Sequence, residues 1–241
     1  MPEFIIPDWP APANVHALVT TRQGGVSAPP WDNFNLGDHV DDQPEAVAEN
    51  RRHLRLHLPS DPLWLQQVHG TCCVDASTTG RGATADAAFS RQPETVCAIL
   101  TADCLPVLLC DDAGTVVAAA HAGWRGLAAG VIESAVANMA LPGERLLAWL
   151  GPAIGPQHFE VGPEVRDCFM AQDRQAAAAF VARPDGKWQC DIYLLARQRL
   201  NAVGINRITS VDFCTFRDSS HFYSYRRDGI TGRMASLIWR D

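Results

Sequence analysis

Val96-Cys97-Ala98-Ile99-Leu100-Thr101-Ala102-Asp103-Cys104-Leu105-Pro106-Val107-Leu108-Leu109 is a run of β-branched and aliphatic residues broken once, at the polar step Thr101-Ala102-Asp103-Cys104. Short apolar runs read as buried strands, and the break between them as a corner, so the stretch predicts two strands joined at a turn that carries a carboxylate and a thiol. A second run, 115–120, ends at His121 and turns through Gly123 into the helical pattern of 127–139. A third, 63–68, ends at His69 and is followed by Gly70. Residues in mid-strand alternate between faces, whereas residues at three strand ends can converge on one point. His69, Cys104 and His121 would then supply two imidazoles and one thiolate. That set is one ligand short of a closed tetrahedral zinc site, as a catalytic zinc with an open position requires.

Taken singly, each of these residues has an ordinary reading. A histidine at a strand end is more often a hydrogen-bonded structural residue than a ligand, and a cysteine among aliphatics is usually a small apolar one. The short-spaced zinc signatures are absent: there is no C-x-x-C and no H-x-x-x-H with an intervening Glu. His53 and His57 are spaced for a metal, but they border arginines on a wet helix face.

Outward from this centre, strands are predicted at 3–6 and 16–21, followed by a long glycine- and proline-rich loop, 22–37. Asp42 and Glu45 read as N-cap and capping box of a helix reaching Leu58, with Val47, Leu54 and Leu58 on its apolar stripe. Further on come a strand at 146–150, a helix from about Glu164, and a helix from Asp191 that stops at Gly204. The chain closes with a strand at 208–213, an aromatic and basic loop, and a strand at 234–239. Strands in excess of crossover helices predict an α+β layered sandwich rather than a doubly wound sheet. With no internal repeat, low-complexity tract or linker, residues 1–241 read as one domain.

The 241 residues are 47% hydrophobic, enough for a substantial core. A net charge of −7 argues against a nucleic-acid backbone as partner. The short basic clusters at 50–55 and 225–227 suit a local anion such as phosphate. The N-terminal residues lack a basic region before an apolar one, so no secretory signal is read, and no apolar run is long enough to span a membrane. Eight cysteines without an export signal imply reduced thiols and a cytoplasmic protein. Oligomeric state is not legible, a monomer being the simplest expectation.

Five motifs then stand together in order. They are Leu65-Gln66-Gln67-Val68-His69-Gly70; Thr101-Ala102-Asp103-Cys104-Leu105-Pro106-Val107; His121-Ala122-Gly123-Trp124-Arg125-Gly126; Gly151-Pro152-Ala153-Ile154-Gly155 with Phe159-Glu160-Val161-Gly162; and Ser224-Tyr225-Arg226-Arg227-Asp228 with Thr231-Gly232-Arg233-Met234-Ala235. With the loop at Thr20-Arg22-Gly24-Gly25-Val26-Ser27, they resemble the YfiH/PgeF family, also called the polyphenol oxidase or laccase-domain family, over nearly the whole chain. The resemblance implies an α-β-β-α layered sandwich and a zinc held by His69, Cys104 and His121. It also implies a phosphate-dependent purine nucleoside phosphorylase acting on adenosine, inosine and methylthioadenosine, with adenosine deaminase activity.

For such chemistry, Cys104 and His121 are the expected catalytic centre, with Asp103 as either a proton carrier or a structural Asx-turn residue. Arg51 and Arg125 are candidates for holding phosphate, surface arginines being the alternative. Asn35 would bond ribose or phosphate, or cap a turn. The expected partners are a small-molecule nucleoside and phosphate, without nucleic acid or membrane. Copper, which the laccase label implies, is physically weak, because the eight histidines (16, 39, 53, 57, 69, 121, 158 and 221) include no His-X-His pair. A competing enzymatic reading makes Cys104 and His121 the nucleophile and base of a thiol amidase, fitting the family's reported removal of a wrong L-serine from a peptidoglycan precursor. Zinc would consume the same thiolate, so the two readings compete for one sulfur. A zinc-stabilised binding protein without turnover is the non-enzymatic alternative.

Overall fold

The computed structural model describes residues 2–241. In chain order the strands are β1 (Phe4–Ile5), β2 (Val15–Thr20), β3 (Cys73–Asp75), β4 (Ala87–Ser90), β5 (Cys97–Thr101), β6 (Leu105–Asp111), β7 (Val117–Ala122), β8 (Leu146–Leu150), β9 (Glu160–Val161), β10 (Phe180–Ala182), β11 (Trp188–Cys190), β12 (Arg207–Ser210) and β13 (Met234–Arg240). The helices are α1 (Pro44–Arg55), α2 (Trp124–Ala129), α3 (Val131–Met139), α4 (Pro163–Met170), α5 (Ile192–Ala202) and α6 (Tyr225–Asp228).

The polar break in the apolar run does more than turn the chain. β5 lies in a four-stranded sheet of order β1-β2-β13-β5, and β6 in a six-stranded sheet of order β12-β8-β6-β7-β4-β3, so the corner at 102–104 passes the chain from one sheet to the other. Asp103 makes that passage with φ at +93°, in the left-handed region. A three-stranded sheet, β10-β11-β9, stands apart from both.

The strand period of two sorts the apolar residues into layers. Cys97 and Ile99 of β5 face Leu108 and Cys110 of β6, Val117 and Ala119 of β7 and Trp149 of β8 in a core between the two large sheets. Their neighbours Ala98 and Leu100 face outward, onto Leu54 of α1 and Leu58 beyond it. On the other side, Leu105, Val107 and Leu109 meet Ile132, Ala135 and Met139 of α3 and Leu195 and Ala196 of α5. The order is therefore helix, sheet, sheet, helices, the α-β-β-α sandwich. Both large sheets are covered on both faces, which is why β5, β6 and β7 are continuously buried rather than alternating in polarity.

Several local expectations are corrected. α1 begins at Pro44 without a side-chain cap, proline having no N–H that needs one. Asp42 instead accepts from Ser27 Oγ and Asn35 Nδ2. The helix expected over 127–139 begins earlier, at Trp124, and is broken into α2 and α3 by Gly130 at φ +106°. Residues 63–68 form only isolated bridges, Leu63 to Cys97 and Gln66 to Thr84. The side chain of Gln67 stands in for a strand neighbour, accepting from Leu100 N at 2.7 Å and donating to Leu100 O at 2.8 Å. The strand expected over 208–213 ends at Ser210, where the chain leaves β8.

Candidate active site

Three segments converge at one end of the inter-sheet core. Cys104 closes the corner just before β6. His121, second to last in β7, falls by the strand period on the face of Val117 and Ala119 and is buried. His69 is not at a strand end but in the loop after Gln67, with φ at +59°. Cys104 Sγ lies 3.6 Å from His69 Nε2, the two imidazoles meet edge to face at 4.7 Å between centroids, and all three donor atoms lie within 4.8 Å of one another.

One residue absent from the sequence-based set organises all this. Asp86, wholly buried just before β4, accepts from the backbone of Val68 (3.1 Å) and Gly70 (2.7 Å) at Oδ2, and of His69 (2.9 Å) at Oδ1. Three N–H donors on one carboxylate hold His69 in a conformation that non-glycine residues otherwise avoid. The same Oδ1 lies 2.8 Å from His121 Nδ1, which fixes the ring's orientation and leaves Nε2 for a ligand. Burial works against the Asp86 carboxylate, yet these donors hold it below the usual range.

Burial also opposes ionisation of Cys104, but the imidazoles of His121 and His69 more than reverse it and bring the thiol down to about 6. Burial opposes the His121 cation, and Cys104 and Asp86 outweigh it, raising the imidazole to about 9. The pair thus favours thiolate and imidazolium, a state a bound metal would replace by taking the place of the proton. Gly123 is required by closeness: a Cβ there would lie 2.6 Å from His69 Cδ2 and 3.0 Å from Cys104 Sγ.

The cluster opens into a cavity of about 450 Å³ whose wall includes Arg125, Arg233, Trp124, Tyr225, Gln67 and His39. Arg125 is exposed and stacks on the Trp124 ring at 4.4 Å, with no ion pair among the described residues. Arg233 donates to the carbonyls of Thr231 and Gly232, and burial lowers its pKa against the opposing charges of Cys104 and Asp103. His39 is lowered by burial and by Arg233. His39 and Gln67 also border an adjoining cavity of about 540 Å³.

The other sequence candidates fall around this cavity rather than in it. Arg51 borders the adjoining one, donating twice to Leu36 O, pairing with Asp38 at 3.2 Å and stacking on Trp64. Asn35 is buried and fully used. Its Oδ1 accepts from Gly37 N and Arg233 N, and its Nδ2 donates to Gly37 O and Asp42, so it braces a turn and seats Arg233. Asp103 accepts from Thr215 Oγ1 at 2.7 Å and from Arg226 N at 2.7 Å, tying the corner to the C-terminal loops. Arg227, in the second basic cluster, donates to the carbonyls of Thr215, Phe216 and Phe222. His53 pairs with Glu49 and His57 packs on Phe4, so they form no metal pair.

Relatives share this architecture from end to end. A family model described as multi-copper polyphenol oxidoreductase laccase matches residues 16–241. A Pseudomonas aeruginosa protein named purine nucleoside phosphorylase is 57% identical over 99% of both chains, and the Escherichia coli purine nucleoside phosphorylase YfiH is 55% identical over 99% of both. A Neisseria meningitidis crystal structure superposes with a TM-score of 0.95 at 49% identity over 99% of both chains. The Bacillus licheniformis YfiH structure does so at 0.87 and 29% identity, over 94% of this chain and 93% of that one. On the family model that spans residues 16–241 and on these relatives, the chain belongs to the YfiH family, which carries the polyphenol oxidoreductase laccase label.

Proposed function

We propose that the protein is a zinc-dependent purine nucleoside phosphorylase that cleaves adenosine, inosine and methylthioadenosine to free base and a ribose 1-phosphate, and that also deaminates adenosine. The observation that carries this reading is one cavity that joins the His69, Cys104 and His121 donors to two guanidinium groups, Arg125 and Arg233, and two aromatic rings, Trp124 and Tyr225. Its volume lies within the usual range for small-molecule sites, about 300–1,000 Å³. The names of the relatives point to the same substrate class.

The donor set fits zinc: two imidazoles, one of them oriented by a buried carboxylate, and a thiol already inclined to ionise. Two histidines and one cysteine are also a blue-copper donor set, but no axial methionine borders the cavity and, among the described residues, no second histidine cluster exists for further coppers. When bound, the zinc supplies a Lewis acid with an open position, the chemistry that deamination needs.

In phosphorolysis a phosphate oxygen attacks the anomeric carbon as the bond to the purine nitrogen breaks. Arg125 is free to pair with the phosphate dianion, and Arg233, poorly solvated, gains from an anion beside it. Trp124 and Tyr225 give the purine apolar faces to lie on. His39, whose cation is disfavoured by burial and by Arg233, offers its ring nitrogens for a hydrogen bond at the cavity rim. Asp103 has both oxygens occupied, so its part is to hold the Cys104 corner in place.

A thiol amidase is the second reading, because Cys104, His121 and Asp86 align as nucleophile, base and orienting acid. His69 at 3.6 Å from the sulfur favours the metal, since a triad has no use for a second imidazole. The deciding experiment incubates the protein with each nucleoside, with and without inorganic phosphate, and separately with a serine-bearing peptidoglycan precursor. Base and ribose 1-phosphate formed only with phosphate are expected. Serine release without base release would replace this reading with the amidase.

A further inference from the structure

A separate cavity, of about 360 Å³, holds a thiol and an imidazole that the proposed reaction does not use. Cys214, in the segment after β12, is buried at 6% exposure, with its sulfur 3.5 Å from His158 Nδ1 and 3.2 Å from the backbone N–H of Gly155, which donates to it. His158 is stacked on Phe216 at 4.7 Å between centroids and 20° between planes, so the imidazole cannot swing freely away. The cavity wall includes Arg217, and two carboxylates, Asp191 and Asp212. Asp191 already accepts from Leu194 N at the start of α5. An imidazole within reach of the thiol proton and a backbone N–H aimed at the sulfur are the geometry by which a cysteine is activated as a nucleophile.

From this arrangement we infer that Cys214 and His158 form a second reactive thiol centre, a modification site for small peroxides. The Cys214 sulfur gives up its proton to His158 and attacks one oxygen of the peroxide. A sulfur–oxygen bond forms as the oxygen–oxygen bond breaks, and the departing hydroxide or alkoxide takes the proton from the imidazolium. Sulfur is oxidised by two electrons to a sulfenic acid, and the peroxide is reduced to water or an alcohol. No other cysteine borders the cavity, so the sulfenic acid is not resolved by an internal disulfide and remains open to a small thiol from solution. Cys214 is followed directly by Thr215, the residue that holds Asp103 beside Cys104, which places the modified sulfur one residue from a brace of the candidate active site.

The test treats zinc-loaded protein with hydrogen peroxide in the presence of dimedone, which traps sulfenic acids, and follows each cysteine-containing peptide by mass spectrometry over time. Cys72 and Cys168 are exposed and have no imidazole partner among the described residues, so they serve as internal references. Cys214 should be labelled at least about tenfold faster than either, despite its burial. His158→Gln, which removes the base, should bring Cys214 down to the reference rate, with thermal unfolding run to check that the fold survives. Labelling of Cys214 no faster than Cys72 and Cys168 in the unmodified protein overturns the inference without recourse to any variant. An unchanged Cys214 rate in a folded His158→Gln protein overturns the role of the imidazole. Because the readout is sulfur oxidation and not nucleoside turnover, failure here leaves the proposed function untouched.

Discussion

Replacing Asp86 by asparagine isolates what one buried carboxylate does for the candidate active site. Its two oxygens make four contacts, to the N–H groups of Val68, His69 and Gly70 and to His121 Nδ1. Asparagine keeps one oxygen, and its amide presents hydrogens to the pair of donors facing the other position. About two hydrogen bonds to a charged acceptor are lost, at roughly 1.5–3 kcal/mol each, so a destabilisation of about 3–6 kcal/mol is expected. The His69 loop would relax from its left-handed conformation, and His121 would lose its orientation. Loss of such a partner behind a ligating histidine typically lowers metal affinity by about 10–100-fold. The sign with pH follows from the lowered carboxylate. A group whose folded pKa lies below its unfolded value stabilises the fold above the unfolded value, and that contribution is lost as pH falls through the folded one. The stability gap between the unmodified protein and Asp86→Asn should therefore be full at neutral pH and close in acid, below the ordinary carboxylate range. Denaturant unfolding at several pH values and a zinc competition titration measure both effects. A variant with unchanged zinc affinity and a pH-independent gap would show that Asp86 neither orients His121 nor anchors the His69 loop.

Purified without chelator, the protein should carry about one zinc per chain. Cys104→Asp should retain partial occupancy, since a carboxylate can ligate zinc but cannot serve as the thiol of an amidase; turnover that survives verified zinc removal would refute the metal reading. Arg125→Ala should raise the KM for phosphate by about tenfold or more and leave nucleoside binding nearly unchanged, which steady-state kinetics with each substrate varied will check. In chelator-stripped protein, alkylation of Cys104 should rise with pH to a midpoint near 6 and level off by neutrality, because the thiol is lowered and its reactive form appears above that value. Mass spectrometry of the alkylated peptide showing a midpoint at the ordinary thiol value would contradict the influence of His121 and His69.

What the sequence determined by itself was local and periodic. The apolar run at 96–109 with its single polar interruption fixed two strands and a corner. The alternation within each run fixed which residues share a face, and the short motifs around His69, Cys104 and His121 marked the donors. Asp86 also left a trace, an acid set in the alanine-rich stretch Ala85-Asp86-Ala87-Ala88, since a carboxylate there has no wet face to reach. Periodicity carries such information because a strand's pleat acts on neighbours two residues apart. Tertiary structure alone decided that β5 and β6 belong to different sheets, since nothing in either strand names its partner. It also decided which polar groups remained free to do chemistry. Asn35 and Asp103 read as candidates for contact with substrate or protons until their acceptors met Arg233 N and Arg226 N, 198 and 123 residues away in the chain. Arg233 and Tyr225 came to the cavity wall from the C-terminal segment for the same reason. A hydrogen bond between residues so far apart depends on how whole layers pack, and no local pattern encodes which side chain it will occupy.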